Sequence, residues 1–137
     1  MTTGTTASEP MMDRQLRWHF GWNFETTKAH FKDHPPVRQD QVLVVSTQGG
    51  ILSYEMAEVE KTTKTRIYLH KALGWAGPAF YYTGQNCFSP KGQTRMIPIN
   101  DGIKKYFKNN SSKKIEMSTL FQAQAIDEFL EACDAKF

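Results

Sequence analysis

The chain has 137 residues, a length at which a single domain with one sizeable hydrophobic core is expected. Nine Phe, five Tyr and three Trp supply the apolar area for that core, so disorder of the whole chain is not expected. The formal net charge of +3 is too small to identify a nucleic-acid-binding protein by charge alone. Only Cys87 and Cys133 are present, far apart, which argues against a disulfide scaffold and against a thiolate zinc site.

The N-terminal segment, residues 1–10, is rich in Thr and has no large apolar residue after Met1 except Pro10 at its end. Such a segment cannot offset its ordering entropy by burial, so we predict a flexible tail followed by a single domain over residues 11–137. It lacks the charged start and apolar centre of a signal peptide, and no run of about 18 apolar residues occurs. We therefore expect a cytoplasmic protein without a membrane partner.

The stretch Arg17 to Phe24 alternates aromatic and other residues, with rings at Trp18, Phe20, Trp22 and Phe24. Helical spacing of Met12, Leu16 and Phe20 is the competing interpretation. A strand is favoured, because Gly21 is unfavourable inside a helix and aromatic residues suit a pleated surface. Thr26 or Thr27 is then expected to cap a short helix that ends at about Asp33, before Pro35.

Four consecutive apolar residues, Val42 to Val45, predict a central strand over Gln41–Thr47 that is covered on both faces. Gly49 and Gly50 form a turn. The apolar alternation that begins at Leu52 then changes phase, which predicts a β-bulge near Met56 to Glu58. Lys61 and Thr62 are the expected tip of the next hairpin.

In the following strand, Thr63–Leu69, the alternation places Ile67 and Leu69 on one face with Thr65, and Lys64, Arg66 and Tyr68 on the other. Phe80–Thr83 and Thr94–Ile99 are the next strand candidates. Between them, Ser89-Pro90-Lys91-Gly92 has Pro and Gly at the positions that a type I turn favours.

Two helices are predicted in the C-terminal part. Asn100 or Asp101 can cap a short helix through Phe107, and Thr119 with Gln122 forms a capping-box pair for the last helix. An apolar stripe along the last helix must pack on the sheet: Ile126, Phe129, Leu130, Cys133 and Phe137. The predicted fold is α+β, a twisted antiparallel sheet of five or six strands, for which a partly open SH3-like barrel is one form, with the C-terminal helix packed on it.

No motif in the chain identifies a reaction, so we assign no catalytic residue and no cofactor. His30 and His34 are four residues apart, and His19 is a conceivable third metal ligand. No HExxH glutamate accompanies the pair, and we expect two ordinary solvated residues and no metal site. Cys133 lies on the apolar stripe, and Cys87 is expected to be packed or idle. A small hydrolase is the third-ranked function.

The strongest functional signal is a set of basic residues interleaved with aromatic ones along one hairpin and the elements that follow it. Small sheets bind nucleic acid by offering cations to phosphates and flat rings to bases. The competing interpretation is a solvated strand face whose cations discourage pairing between sheet edges. The candidate nucleic-acid-binding residues are Lys61, Lys64, Arg66, Tyr68, His70, Lys71, Trp75, Tyr81, Lys91 and Arg95.

The segment Val59–Leu69, with Phe80–Gly84, is similar to meanders in small proteins of phages and mobile elements. This resemblance names no family and implies an accessory protein that binds a host macromolecule or nucleic acid. The predicted function is a non-enzymatic binding module with DNA or RNA as the leading partner. The alternative is a factor that binds or inhibits a host protein through an exposed aromatic surface formed by the rings of Arg17–Phe24.

Overall fold

The computed structural model describes residues 16–70, 79–108, 112–117 and 122–133. In these residues helix α1 (Phe24–Asp33) is followed by strands β1 (Gln41–Gln48), β2 (Ile51–Thr62), β3 (Arg66–Leu69), β4 (Ala79–Tyr81) and β5 (Arg95–Ile97). Helix α2 (Asp101–Lys108), strand β6 (Ser112–Glu116) and helix α3 (Gln122–Ala132) complete the order. The predicted α+β class is confirmed, and the described sheet has six strands. The predicted tail, residues 1–10, lies outside the described residues.

All strand pairs are antiparallel, in the order β4-β3-β2-β1-β5, and β6 pairs with the N-terminal half of β2. The sheet curls into a half-barrel, because the segment after β4 forms isolated bridges to both end strands: Asn86 to Phe80, and Gln85 to Arg95. Gly84 makes this approach possible. Its φ of +93° suits glycine, and a Cβ there would overlap the carbonyl oxygen of Met96.

A two-residue loop joins β1 to β2 at Gly49 and Gly50, whose φ angles of +59° and +76° require glycine-like freedom. The register then runs unbroken along β1 and β2 from Gln48↔Ile51 to Gln41↔Glu58. The predicted bulge near Met56 to Glu58 is therefore wrong. The irregularity lies instead at Glu60, where the β2–β3 register shifts between Val59 and Lys61.

Two apolar clusters lie on opposite faces of β1, so the prediction of a strand covered on both faces is confirmed. The inner core of the half-barrel contains Phe31, Val42, Val44, Val59, Ile67, Leu69, Phe80 and Met96. The helix-side core lies between the sheet and helices α2 and α3, and contains Leu43, Val45, Leu52, Tyr54, Ile97, Ile103, Phe107, Ile115, Ile126, Phe129, Leu130 and Cys133. The phase change along β2 follows from this arrangement, since Leu52 faces the helix-side core whereas Val59 faces the inner core.

The predicted strand Arg17–Phe24 is wrong. Residues 16–18 are helical, and the chain then turns at Phe20 and Gly21, whose φ angles are +54° and +83°. The amide of Gly21 donates to the carbonyl of Leu16 at 2.6 Å, a bond typical of a helix end. Gly21 thus terminates a helical turn. Rings at every second residue are typical of a strand, but a turn between two helices can carry the same spacing. The aromatic alternation therefore did not distinguish the two structures.

Helix α1 begins one residue after Asn23, not at the predicted Thr26 or Thr27 cap. The Asn23 side chain accepts a hydrogen bond from the Thr26 amide at 2.8 Å, and the Thr26 hydroxyl accepts one from the Asn23 amide at 2.9 Å. This reciprocal pair is a capping box. The helix ends at Asp33, as predicted from Pro35.

The aromatic rings before α1 are half-buried and pack against the helix-side core. The buried Tyr54 hydroxyl donates to the carbonyl of Trp18 at 2.6 Å, and the Phe20 ring meets Tyr54 and Phe129 edge-on. Burial raises the pKa of Tyr54 far above its ordinary value, so the hydroxyl remains a neutral donor. These contacts hold the N-terminal turn against the sheet.

The C-terminal stripe is confirmed over its described part, because Ile126, Phe129, Leu130 and Cys133 are all buried. Thr119 and Phe137 lie outside the described residues. The Asn100 side chain accepts from the Ile103 amide at 2.7 Å, which confirms the predicted cap of α2. Strand β6 was not predicted. Among the described residues, no helix is long and apolar enough to cross a membrane.

Candidate nucleic-acid interface

Strand β3 sets the geometry of the candidate interface, because its alternation separates an inner from an outer face. Ile67 and Leu69 are fully buried in the inner core, whereas Arg66 and Tyr68 point outward and are half-exposed. This division is as predicted. The strand itself begins at Arg66, however, and not at Thr63.

The hairpin tip lies two residues later than predicted. Strand β2 continues through Thr62, so Lys61 belongs to the sheet, and the turn comprises Thr63, Lys64 and Thr65. The Thr63 hydroxyl accepts from the Arg66 amide at 3.0 Å, and the Tyr82 hydroxyl donates to the Thr63 carbonyl at 2.6 Å. Lys64 is therefore an exposed residue in a turn that these two hydrogen bonds stabilise.

The bulge at Glu60 places Lys61 on the outer face. Val59 pairs with Leu69 and Lys61 pairs with Tyr68, so Glu60 is the extra residue on β2. In a regular strand, Val59 and Lys61 would share the inner face. The bulge breaks that alternation and aligns Lys61 with Tyr68.

Four side chains on neighbouring strands form what we call the cation–aromatic face: Lys61, Arg66, Tyr68 and Tyr81. The Lys61 ammonium lies 5.0 Å from the centre of the Tyr68 ring, and the Arg66 guanidinium lies 6.0 Å from that of Tyr81. A side-chain hydrogen bond with Tyr68 is the main reason that the pKa of Arg66 lies above its ordinary value. Arg66 therefore stays charged. Among the described residues, neither cation forms an ion pair with a carboxylate.

The remaining predicted residues lie at different places. His70 lies beside the carboxylate of Glu60, with 3.8 Å between Nδ1 and Oε2, so any charge it carries is offset. Lys91 is exposed in the turn Ser89–Gly92, which is closed by a 2.9 Å hydrogen bond from the Gly92 amide to the Ser89 carbonyl, as predicted. Lys71 and Trp75 lie outside the described residues.

Arg95 lies in strand β5 and contacts a ring that is not part of the cation–aromatic face. It pairs with Val45 in β1, and its guanidinium lies 4.4 Å from the centre of the Phe24 ring in helix α1. Desolvation lowers the pKa of Arg95 from its ordinary value. The structure thus brings together four of the predicted residues and places Arg95 in a packing role.

Cys87 borders the cation–aromatic face, and its amide donates to the Ala79 carbonyl at 2.9 Å. Burial raises the pKa of the Cys87 thiol, while the Arg66 charge and a hydrogen bond with Tyr81 oppose that shift. A raised pKa disfavours the thiolate, which is the nucleophilic form of cysteine. The Cys87 side chain is partly buried and interacts with Arg66 and Tyr81.

A second basic group is divided between two elements. Lys104, Lys105 and Lys108 are exposed on α2, and Lys114 is exposed on β6. Strand β6 pairs with β2 alone among the described strands, so a lysine there suits the protection of a sheet edge. This explanation does not apply to Arg66, because β3 lies between β2 and β4.

A cleft of about 350 Å³ lies beside helix α1 and is lined by both imidazoles of the predicted His pair. The rings of His30 and His34 are 4.9 Å apart. The pKa of His30 is lowered, first by burial and then by the neighbouring His34. The other ionisable groups that line the cleft are Asp40, Glu58 and Lys104. Among the described residues, no three His, Cys, Asp or Glu side chains are placed to hold a metal ion.

No protein-family model matches the chain, and no curated protein and no solved structure matches it either.

Proposed function

We propose that the protein binds nucleic acid through the cation–aromatic face. The observation that carries the proposal is the grouping of Lys61, Arg66, Tyr68 and Tyr81 on one outer face of three adjacent strands. Phosphates require cations, and bases require flat rings, so this combination suits both parts of a nucleotide.

The charges on this face support an anionic partner. Lys61 and Arg66 each lie beside an aromatic ring, and no carboxylate of the described residues forms an ion pair with either of them. Their positive charges are therefore suited to contact with a phosphate. A cation–π contact at an exposed site contributes only about 0.5 to 1 kcal/mol, which a phosphate contact can replace at little cost. The rings then become available to bases.

The position of Arg66 also supports a binding role over edge protection. Cations on an edge strand prevent the sheet from pairing with another sheet. Strand β3 already has a partner on each side, so its outward Arg66 and Tyr68 have no edge to protect.

A pair of double variants tests the proposal. In the first variant, Lys61→Ala is combined with Arg66→Ala. In the control, Lys28→Ala is combined with Lys32→Ala, which removes the same charge from exposed positions on helix α1. Binding of fluorescent DNA and RNA oligonucleotides is measured by anisotropy over a series of salt concentrations.

The first variant should bind more weakly, and the slope of log affinity against log salt should fall by about 0.7 per lost contact on a single strand. The control should retain the parent affinity and most of the slope. Equal losses in both variants would mean that net charge alone attracts the oligonucleotide. No binding by the parent at low salt would refute the proposal and favour a protein partner.

A further inference from the structure

We infer that the partner of the cation–aromatic face is single-stranded, and that Phe88 stacks on one of its unpaired bases. This inference rests on the proposed function and adds a residue that the sequence did not indicate.

Phe88 is the most exposed of the large hydrophobic side chains in the described part of the chain, with 64% of its surface accessible. Exposed single apolar residues are common, so exposure alone assigns no role. The surroundings of Phe88 indicate a role in binding.

The backbone at Phe88 is held by hydrogen bonds to a buried side chain. The fully buried Asn86 side chain accepts hydrogen bonds from the amides of Phe88 at 2.9 Å and Ser89 at 3.1 Å. Asn86 itself forms a bridge to Phe80 in strand β4. An exposed ring on an ordered support loses little conformational entropy when it stacks on a ligand.

The segment that carries Phe88 runs beside strand β4, because the Cys87 amide donates to the Ala79 carbonyl at 2.9 Å. The Cys87 side chain interacts with both Arg66 and Tyr81, so this segment borders the cation–aromatic face. The turn that follows carries the exposed Lys91. This short segment therefore carries one ring that can contact a base and one cation that can contact a phosphate. The adjacent cation–aromatic face carries two further rings and two further cations.

The ring also restricts the class of nucleic acid. In a duplex the faces of the bases are covered by their neighbours, so a protein ring cannot stack on them without unstacking a step. Unpaired bases expose their faces, and stacking on them tolerates any sequence. Phe88 therefore favours a single strand without strong sequence preference.

The experiment compares Phe88→Ala, Phe88→Leu and Phe88→Trp in the full chain, with Val37→Ala as the control. Val37 is 60% exposed and lies in the segment between α1 and β1, which contributes none of the four residues of the cation–aromatic face. The probes are a thymidine 12-mer, an abasic strand of equal length and a duplex of equal length.

For the thymidine strand, Phe88→Ala should weaken binding about 5- to 150-fold, the range that corresponds to loss of one stacked base. Phe88→Trp should retain affinity, whereas Phe88→Leu should behave like Phe88→Ala, because a leucine cannot stack. The abasic strand should bind all variants alike, through phosphate contacts. Val37→Ala should match the parent.

The contrary outcomes are separable. If the parent binds the thymidine strand and Phe88→Ala binds it equally well, the stacking role is refuted while the proposed function stands. A parent that prefers the duplex would refute the assignment of a single strand. A parent that binds none of the three probes would refute this inference together with the proposed function.

Discussion

Strand β2 passes through two regions of the molecule. Helices cover the outer side of the sheet in the first region, and that side is exposed in the second. In its N-terminal half, Leu52 and Tyr54 lie fully buried under α2, α3 and the aromatic rings that precede α1. In its C-terminal half, Lys61 is exposed beside Tyr68. The same side of one sheet is thus apolar where helices cover it and cationic where no described element does.

The comparison shows which side chains are committed to stability and which are available for binding. Burial of a large apolar side chain contributes about 1.5 to 3 kcal/mol, whereas an exposed cation–π pair contributes about 0.5 to 1 kcal/mol. The covered half should therefore govern the free energy of unfolding. The cation–aromatic face should be replaceable without loss of the fold.

The largest expected effect is that of Phe129→Ala in helix α3. Phe129 is buried, and its ring meets those of Phe20, Tyr54, Tyr106 and Phe107. Removing it should lower the free energy of unfolding by about 3 to 5 kcal/mol, because a cavity forms in the helix-side core. Urea unfolding measures the loss.

The matched variant in the uncovered half is Tyr81→Ala, which also removes one aromatic ring. Its cost should be less than half as large, since Tyr81 is half-exposed. If the two variants lose equal stability, the division of the sheet into a stabilising and a binding half is incorrect.

The next effect tests the closure of the half-barrel, which joins the two regions. Gly84→Ala introduces a Cβ at a φ of +93° and against the Met96 carbonyl, so it should cost at least the roughly 1 to 3 kcal/mol of a strained residue. Gly49→Ala is the control, because nothing lies within 4 Å of its added Cβ.

Gly49→Ala should cost only the roughly 1 to 2 kcal/mol of a left-handed conformation. Thermal unfolding at one scan rate ranks the two variants. A smaller loss for Gly84→Ala than for Gly49→Ala would show that the segment that bridges to both β4 and β5 contributes little to stability.

Much of the covered half was predictable from local patterns. Four consecutive apolar residues at Val42 to Val45 indicated a strand buried on both faces, and the stripe through Phe129 indicated the packed helix. The segment before α1 was mispredicted because its rings satisfy two periods at once, and only Gly21, with its positive φ, distinguishes a helix end from a strand. Strand β6 was not predicted, because Ile115 is its one buried residue and a single apolar position gives no alternation.

The cation–aromatic face was predictable only in part. The alternation of Arg66 and Tyr68 was visible in the sequence, and Tyr81 was visible as part of a strand. The alignment of Lys61 with Tyr68 depends on the bulge at Glu60, and a bulge depends on pairing between strands. Phe88 gave no signal in the sequence, because its exposure and the hydrogen bond of its amide to the buried Asn86 side chain are visible only in the structure.

The bulge offers a further test, with two single-residue deletions as a matched pair. Deleting Glu60 leaves Val59 opposite Leu69 and Lys61 opposite Tyr68 in a regular register. Deleting Lys61 gives the same length and register but places Glu60 opposite Tyr68. Both variants should lose similar stability, on the order of 1 kcal/mol, because the pairing is retained.

Only the deletion of Lys61 should impair oligonucleotide binding, since a carboxylate then replaces a cation on the cation–aromatic face. Anisotropy at low salt compares the two deletions directly. Equal affinities would show that the position opposite Tyr68 does not contact the phosphates.

The smallest expected effect concerns pH and the cleft beside helix α1. His30 packs against Trp22 and Phe31, with ring centres 5.2 and 5.3 Å apart, and burial and the adjacent His34 lower its pKa below the ordinary 6.5. The unfolded chain therefore binds a proton at this site more readily than the folded chain does. The free energy of unfolding is therefore unaffected by His30 protonation above pH 6.5. It decreases as the pH falls from 6.5 toward the lowered pKa of the folded chain.

Urea unfolding at several pH values between 7.5 and 5 should show that His30→Gln loses less stability on acidification than the parent. His34→Gln should also reduce the loss, because it removes the like charge that disfavours protonation of His30. Asp33 opposes the shift of His30, and Asp40, Glu58 and Lys104 line the same cleft, so the difference between variants is the informative quantity. An identical pH dependence in His30→Gln and the parent would show that His30 is as well solvated in the folded chain as in the unfolded one. The packing of its ring against Trp22 would then contribute nothing to the pH response of the covered half.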